Sequence, residues 1–189
     1  MSIFPGASIH SFEPAAQTFS TLQKNLASSL GNYQGQVKLN NLGLSDKTTD
    51  ATLHYDRLNS GIASLYDRQL DHLGVDYSMS ETVKLSTLDE YCKRNGISSI
   101  DWLKMDVEGN ELNVLKGAEE MLSRHGIRAL QMEFGGCNID SRTYFRDFWN
   151  LLHNDFRVFY VGVDALIEIT GYSETLEIFT TTNFIFYRK

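Results

Sequence analysis

At 189 residues, 42% hydrophobic and 22% charged, the chain has the make-up of one globular domain over 1–189, long enough to bury a proper core. A net charge of −7 argues against a general nucleic-acid or membrane-surface binder, because neither polyanion attracts an acidic chain. No apolar run reaches the roughly eighteen residues of a transmembrane helix, and Met1-Ser2-Ile3-Phe4-Pro5-Gly6 lacks both the basic and the apolar region of a signal peptide. Cys92 and Cys137 stand far apart, outside any CxxC arrangement, and the histidines lack ligand spacing. Free thiols, a cytoplasmic setting and no zinc site are the expectation.

Taken in order, Ser8 to Phe12 is a short β run closing on Glu13-Pro14, and Pro14 suits the first turn of a helix rather than a ladder. Phe19, Leu22, Leu26 and Leu30 then form one apolar stripe, with Gly31 as its stop. Gln36 to Leu39 predicts the next strand, which ends in Asn40 to Asp46, and Thr52 to Tyr55 a further short one. Arg57 to Ser80 is polar and without steady period. It reads equally as a functional or mobile loop and as a short irregular helix over Ala63 to Leu73. Thr82 to Leu85 is a brief strand, after which Thr87-Leu88-Asp89-Glu90 matches a capping box opening a helix that ends near Gly96.

The centre of the chain is Ile100 to Ala118. Ile100, Trp102, Lys104 and Asp106 fall on one face of a strand, and Asp101, Leu103, Met105 and Val107 on the other. At Glu108-Gly109 the period becomes helical, with Leu112, Leu115, Ala118 and Leu122 on one stripe. Ligands of open α/β sheets sit outside the carboxyl ends of the strands, and Lys104, Asp106, Glu108 and Glu111 crowd that end. Acids opening a helix gain roughly 0.3–1 kcal/mol each from its dipole, which accounts for one or two of them. It does not account for Lys104, which alternation puts in a buried central strand; there it needs Asp106 or a neighbouring strand's carboxylate as partner.

Beyond Gly126, Ile127 to Phe134 is another strand with Gln131 and Glu133 on one face, so that Glu133 closes it as Asp106 closes the previous one. Thr143 to Leu152 is helical. Phe156 to Val163 and Glu174 to Tyr187 are aromatic β segments with no helix between them, and must pair antiparallel. The order predicts an α/β fold: a mostly parallel sheet ending in an antiparallel strand pair.

Ile9-His10-Ser11-Phe12-Glu13-Pro14, Asn41-Leu42-Gly43-Leu44-Ser45-Asp46, Thr87-Leu88-Asp89, Lys104 through Glu111, and Leu115-Lys116-Gly117-Ala118 together resemble, in order and from near residue 3 to the end, the FkbM-type methyltransferase family. The resemblance implies a class I, Rossmann-like, S-adenosylmethionine-dependent fold with helices on both faces and the last strand inserted antiparallel. The chemistry it implies is methyl transfer to a hydroxyl of a small-molecule or carbohydrate acceptor: a sugar, glycolipid or secondary metabolite. Glu13 matches the acid that grips the cofactor ribose, next to Pro14, while Asn41 and the Leu44-Ser45-Asp46 turn would lie near the adenine. Asp106 and Glu108 would face the methionine end or the acceptor, with Lys104 and Glu133 as candidate acid/base groups.

The oxygens of Asp106, Glu108 and Glu133 leave a metal-assisted variant open. The family's first strand and glycine-rich loop should precede Phe4-Pro5-Gly6 and are not found. An incomplete sheet, self-association through the gap and weak or absent cofactor binding are therefore expected. Two other readings stand beside the enzyme: a non-catalytic relative using the sheet edge for binding or oligomerisation, and a nucleotide-linked oxidoreductase, since an acid ending a strand also grips NAD ribose.

Overall fold

The computed structural model describes residues 6–29 and 36–189. Strand β1 (Ile9–Phe12) runs parallel to β2 (Val37–Asn40), in register from Ile9 against Val37 to Phe12 against Asn40, and helix α1 (Ala16–Ser29) connects them. Pro14 ends β1, and Glu13 Oε1 accepts the Ala15 N–H at 2.8 Å where the helix begins. Leu30 and Gly31, the expected end of that helix, lie outside the described residues, as do Met1 to Pro5.

A second sheet has the order β3-β5-β4, from β3 (Gly43–Leu44), β4 (Thr49–Tyr55) and β5 (Met79–Ser86); β3 is parallel to β5 and β4 antiparallel to it. Between β4 and β5, residues 56–78 contain one short 3-10 turn, Asp71–Leu73, so of the two sequence readings the loop describes the segment and the helix over Ala63 to Leu73 does not. The loop is tied down. Ser64 exchanges two backbone hydrogen bonds with His54, at 2.8 and 3.0 Å, and the Tyr77 hydroxyl donates to Ile62 O at 2.7 Å.

Helix α2 (Leu88–Asn95) starts where Thr87 Oγ1 accepts the Glu90 N–H at 3.1 Å and stops at Gly96, with φ 65°. This is half of the expected capping box, because the Glu90 carboxylate takes the hydroxyl of Thr48 instead. The third sheet follows, in the order β6-β7-β10-β8-β9: β6 (Leu103–Met105), β7 (Ala129–Phe134), β8 (Phe156–Val161), β9 (Leu166–Ile169) and β10 (Thr182–Arg188). Strand β10 lies antiparallel between β7 and β8, as the terminal aromatic segments require. Its neighbours pack a core in which Phe134, Phe145, Phe148, Phe156, Phe184 and Phe186 are fully buried.

Three expectations are corrected. The sheets are mixed rather than mostly parallel: β1–β2, β3–β5 and β6–β7 are parallel, but β4–β5, β7–β10, β8–β10 and β8–β9 are antiparallel. Lys104 is not in a buried central strand, because β6 is three residues long and among the described residues pairs with β7 alone; its side chain is 54% exposed. The single helix expected after Gly109 is two, α3 (Glu111–Lys116) and α4 (Glu119–Ser123), and the segment after β7 holds α5 (Cys137–Ser141) before α6 (Phe145–Leu152).

The break between α3 and α4 has a packing cause. Gly117 is pressed against the Ser45 backbone so closely that a Cβ there would fall on the Ser45 carbonyl oxygen. The Asp89 carboxylate then starts the new helix by accepting the N–H groups of Glu120 and Met121 at 2.7 and 2.9 Å. Exposed glycine in a helix ordinarily gains about 0.5–1 kcal/mol on change to alanine. Gly117→Ala is expected to reverse that sign and cost about 2–3 kcal/mol by overpacking, read as a lower urea midpoint at unchanged slope.

Candidate active site

Strand β6 ends at Met105 and the chain then turns tightly. Glu108 and Gly109 are both left-handed, with φ 52° and 100°, and a Cβ on Gly109 would lie 2.9 Å from the Cys137 carbonyl oxygen, so only glycine passes there. The turn is closed from below by Glu111. Its carboxylate is wholly buried and accepts the N–H of Val107 at 3.0 Å and of Gly109 at 3.1 Å. Burial pushes the Glu111 carboxyl up to about 7, against the pull of those amides. Asn110, also buried, donates from Nδ2 to Leu44 O at 3.0 Å and so ties the turn to β3.

Above the turn the side chains of Asp106, Glu108 and Glu133 converge, with carboxylate oxygens within 4.8 Å of one another. Two cations answer them: Lys104 Nζ lies 2.8 Å from Asp106 Oδ2, and Arg68 Nη1 lies 2.7 Å from Glu108 Oε2. Arg68 Nε also reaches Asp140 Oδ2 on α5 at 3.3 Å. Burial holds the Glu108 carboxyl above its usual range; Arg68 opposes this, and Glu133 and Asp106 add to it. Glu133 is raised by burial and then by Asp106, with Lys104 and Arg68 opposing. Carboxylates of raised proton affinity at a strand end are suited to accept a proton from a bound hydroxyl. Oxygens at this spacing could also surround a hard cation, although Lys104 and Arg68 already lie against two of the three acids.

The remaining sequence-predicted residues form a separate corner. Glu13 is half-buried, and its carboxyl is raised by that burial. Asn41 Nδ2 donates to the carbonyls of Glu13 and Pro14 at 2.9 and 3.0 Å, bracing the β1–α1 corner. Leu44 and Ser45 are buried; the Ser45 hydroxyl donates to Asp46 Oδ1 at 3.1 Å, and Asp46 is exposed. The structure thus gathers Lys104, Asp106, Glu108 and Glu133 in one cluster and Glu13, Pro14 and Asn41 in another, with Leu44 linked to the first through Asn110. Sequence reasoning missed Arg68 and Asp140. The one signal for Arg68 was that it lies in an irregular excursion too long to be a mere connection.

Ligands of open α/β sheets sit outside the carboxyl ends of the strands, and the acid-rich turn lies at such an end, after the parallel strand β6. The Methyltransferase FkbM domain matches residues 2–158, and the chain belongs to the FkbM methyltransferase family. It is 31% identical to "Methyltransferase 1" of Beauveria bassiana (strain ARSEF 2860) over 130 residues, 62% of this chain and 51% of that protein. It is likewise 31% identical to "Methyltransferase sdnD" of Sordaria araneosa over 140 residues, 62% of this chain and 53% of that protein. The chain therefore spans about half the length of these curated relatives. A crystal structure of a methyltransferase FkbM from Methylobacillus flagellatus KT superposes with a TM-score of 0.53, covering 94% of this chain and 36% of that one; at 19% identity the likeness concerns the fold.

Glu111 makes the site's stability pH-dependent. Its folded carboxyl keeps a proton up to about pH 7 that the unfolded chain releases near its ordinary 4.5. Its contribution is therefore fully present below pH 4.5 and is lost as pH rises through 7. Between pH 5 and 8 the native protein should lose about 2–3 kcal/mol that Glu111→Gln does not lose, measured by urea unfolding of both proteins at the two pH values.

Proposed function

We propose that the chain forms the S-adenosylmethionine-dependent catalytic region of an O-methyltransferase acting on a hydroxyl of a sugar, glycolipid or secondary metabolite. The observation that carries this reading is the carboxylate cluster of Asp106, Glu108 and Glu133 at the ends of two adjacent parallel strands, compensated by Lys104 and Arg68. Three acids facing two cations leave negative charge over, which suits a sulfonium. In this reading the parallel strands belong to a Rossmann-like class I core on 1–189. The buried free thiols Cys92 and Cys137 support a reducing, cytoplasmic setting. No helix among the described residues is long and apolar enough to cross a membrane.

The cofactor supplies an electrophilic methyl group; the chain's own residues do the rest. Glu13, desolvated at the end of β1, would accept from the ribose hydroxyls, with Pro14 and Asn41 fixing its backbone and Leu44, Ser45 and Asp46 bordering the adenine. Asp106, steadied by Lys104, would face the positive end of the cofactor. Glu108 and Glu133, both raised by burial, would take the proton that leaves the acceptor oxygen as the new bond forms.

A second reading is a methyltransferase-like module that binds or oligomerises. It is favoured by open strand edges, among them β1, which in the described residues pairs only with β2, and β6, which pairs only with β7. Unpaired ladder groups on such edges favour association of a second copy. Calorimetric titration of S-adenosylmethionine and S-adenosylhomocysteine into the chain separates the two readings. The enzyme reading expects saturable binding, weakened at least about tenfold, or about 1.4 kcal/mol, by Glu13→Ala. Binding of neither compound by the chain or by a version extended upstream through a first strand and glycine-rich loop, with a concentration-dependent rise in sedimentation coefficient, would establish the second reading instead.

A further inference from the structure

The cluster depends on a residue from outside the strand and its turn. Arg68 sits in the 56–78 segment with its side chain only 10% exposed, and it meets two carboxylates with two different nitrogens: Nη1 on Glu108 at 2.7 Å and Nε on Asp140 at 3.3 Å. Such a bridge uses the planar fork of a guanidinium, which the single nitrogen of a lysine cannot reproduce. The same segment holds the Glu108 backbone as well, since the hydroxyl of fully buried Ser64 donates to Glu108 O at 2.7 Å. Two more contacts seat it: Asn113 Nδ2 donates to the Tyr66 hydroxyl at 3.2 Å, and the Gln69 N–H donates to Asp140 Oδ1 at 3.4 Å.

Glu108 needs this hold. A residue with a Cβ at φ 52° is strained, and its carboxylate is drawn into an acidic neighbourhood of Asp106 and Glu133. We propose that Arg68 is a positioning residue: by bridging Glu108 and Asp140 it aims the Glu108 carboxylate into the cluster with Asp106 and Glu133 and seats the 56–78 segment over the acceptor side of the site. The acceptor-side role rests on the methyltransferase reading above; the hold on Glu108 does not.

Charge and aim can be separated experimentally in the full chain. Hydrogen exchange of amides 106–110 reports the aim, the pH titration of the Glu108 carboxyl-carbon resonance reports the charge, and S-adenosylmethionine titration reports the function. Arg68→Lys is expected to speed exchange of the turn about tenfold while leaving the Glu108 midpoint near its native position. Arg68→Ala should speed exchange equally and move that midpoint upward, because the compensating cation is gone. Asp140→Asn, a milder change for the case in which Arg68→Ala does not fold, should speed exchange by a smaller factor.

Native exchange in Arg68→Lys would overturn the proposal, since charge alone would then suffice. Native exchange and an unmoved Glu108 midpoint in Arg68→Ala would overturn it outright. The expected turn response in a protein whose upstream-extended version also fails to bind S-adenosylmethionine would sink the methyltransferase reading and leave the hold on Glu108 standing.

Discussion

Glu111 accepts the amide protons of Val107 and Gly109 at 3.0 and 3.1 Å, and the turn between β6 and α3 depends on that pair of bonds. A helix start leaves its first N–H groups without intrahelical partners, and here the start follows two successive left-handed residues that could not be satisfied by a strand either. An ionised carboxylate buried from water is costly, and two charge-assisted bonds offset that only in part, which is why its proton affinity rises. The backbone path through Glu108, from which its side chain starts toward the carboxylate cluster, follows from a turn that Glu111 folds. Gly109 completes the arrangement by letting the turn lie against the Cys137 carbonyl of α5.

Features with local causes were legible in the sequence. The β1–α1–β2 unit announced itself through Pro14 and the Phe19, Leu22, Leu26 stripe, and α2 through Thr87 and Gly96. The antiparallel placement of β10 followed from the lack of a crossover helix. Features with distant causes were not legible. The stripe through Leu112 and Leu122 was correctly helical, yet nothing local says that Gly117 must yield to the Ser45 carbonyl and split the helix in two. Strand β9 is four residues, three of them exposed, and so carries no alternation. Alternation assigned Lys104 to a face correctly, but it says nothing about whether the strand lies at the sheet's edge or what covers that face.

The cluster shows the same division. Asp106, Glu108 and Glu133 were found because each ends or follows a strand, and the structure brings them within 4.8 Å. Arg68 and Asp140 were not found, because an ion pair bridging 40 residues between Arg68 and Glu108 leaves no periodic trace. The Glu13 corner is a mixed result. Its residues are adjacent as expected, but Asn41 spends its amide donors on the carbonyls of Glu13 and Pro14, so its visible work is to brace the corner.

The two cations of the site differ in weight. Lys104 and Asp106 are about half exposed, at 54% and 47%, and a pair so solvated is worth about 0–1 kcal/mol and weakens with salt. Arg68 and Glu108, at 10% and 18%, interact through a medium of much lower effective dielectric, where the same separation counts several-fold more. Arg68 accordingly stands as the leading charge effect opposing the burial of Glu108, while Lys104 opposes the rise of Glu133. Control of the clustered carboxylates thus lies less with the strand that presents them than with the irregular segment folded over it. A change in that segment can retune the site without altering any residue of the β6–α3 turn, whereas a change in the turn itself must first satisfy Glu111.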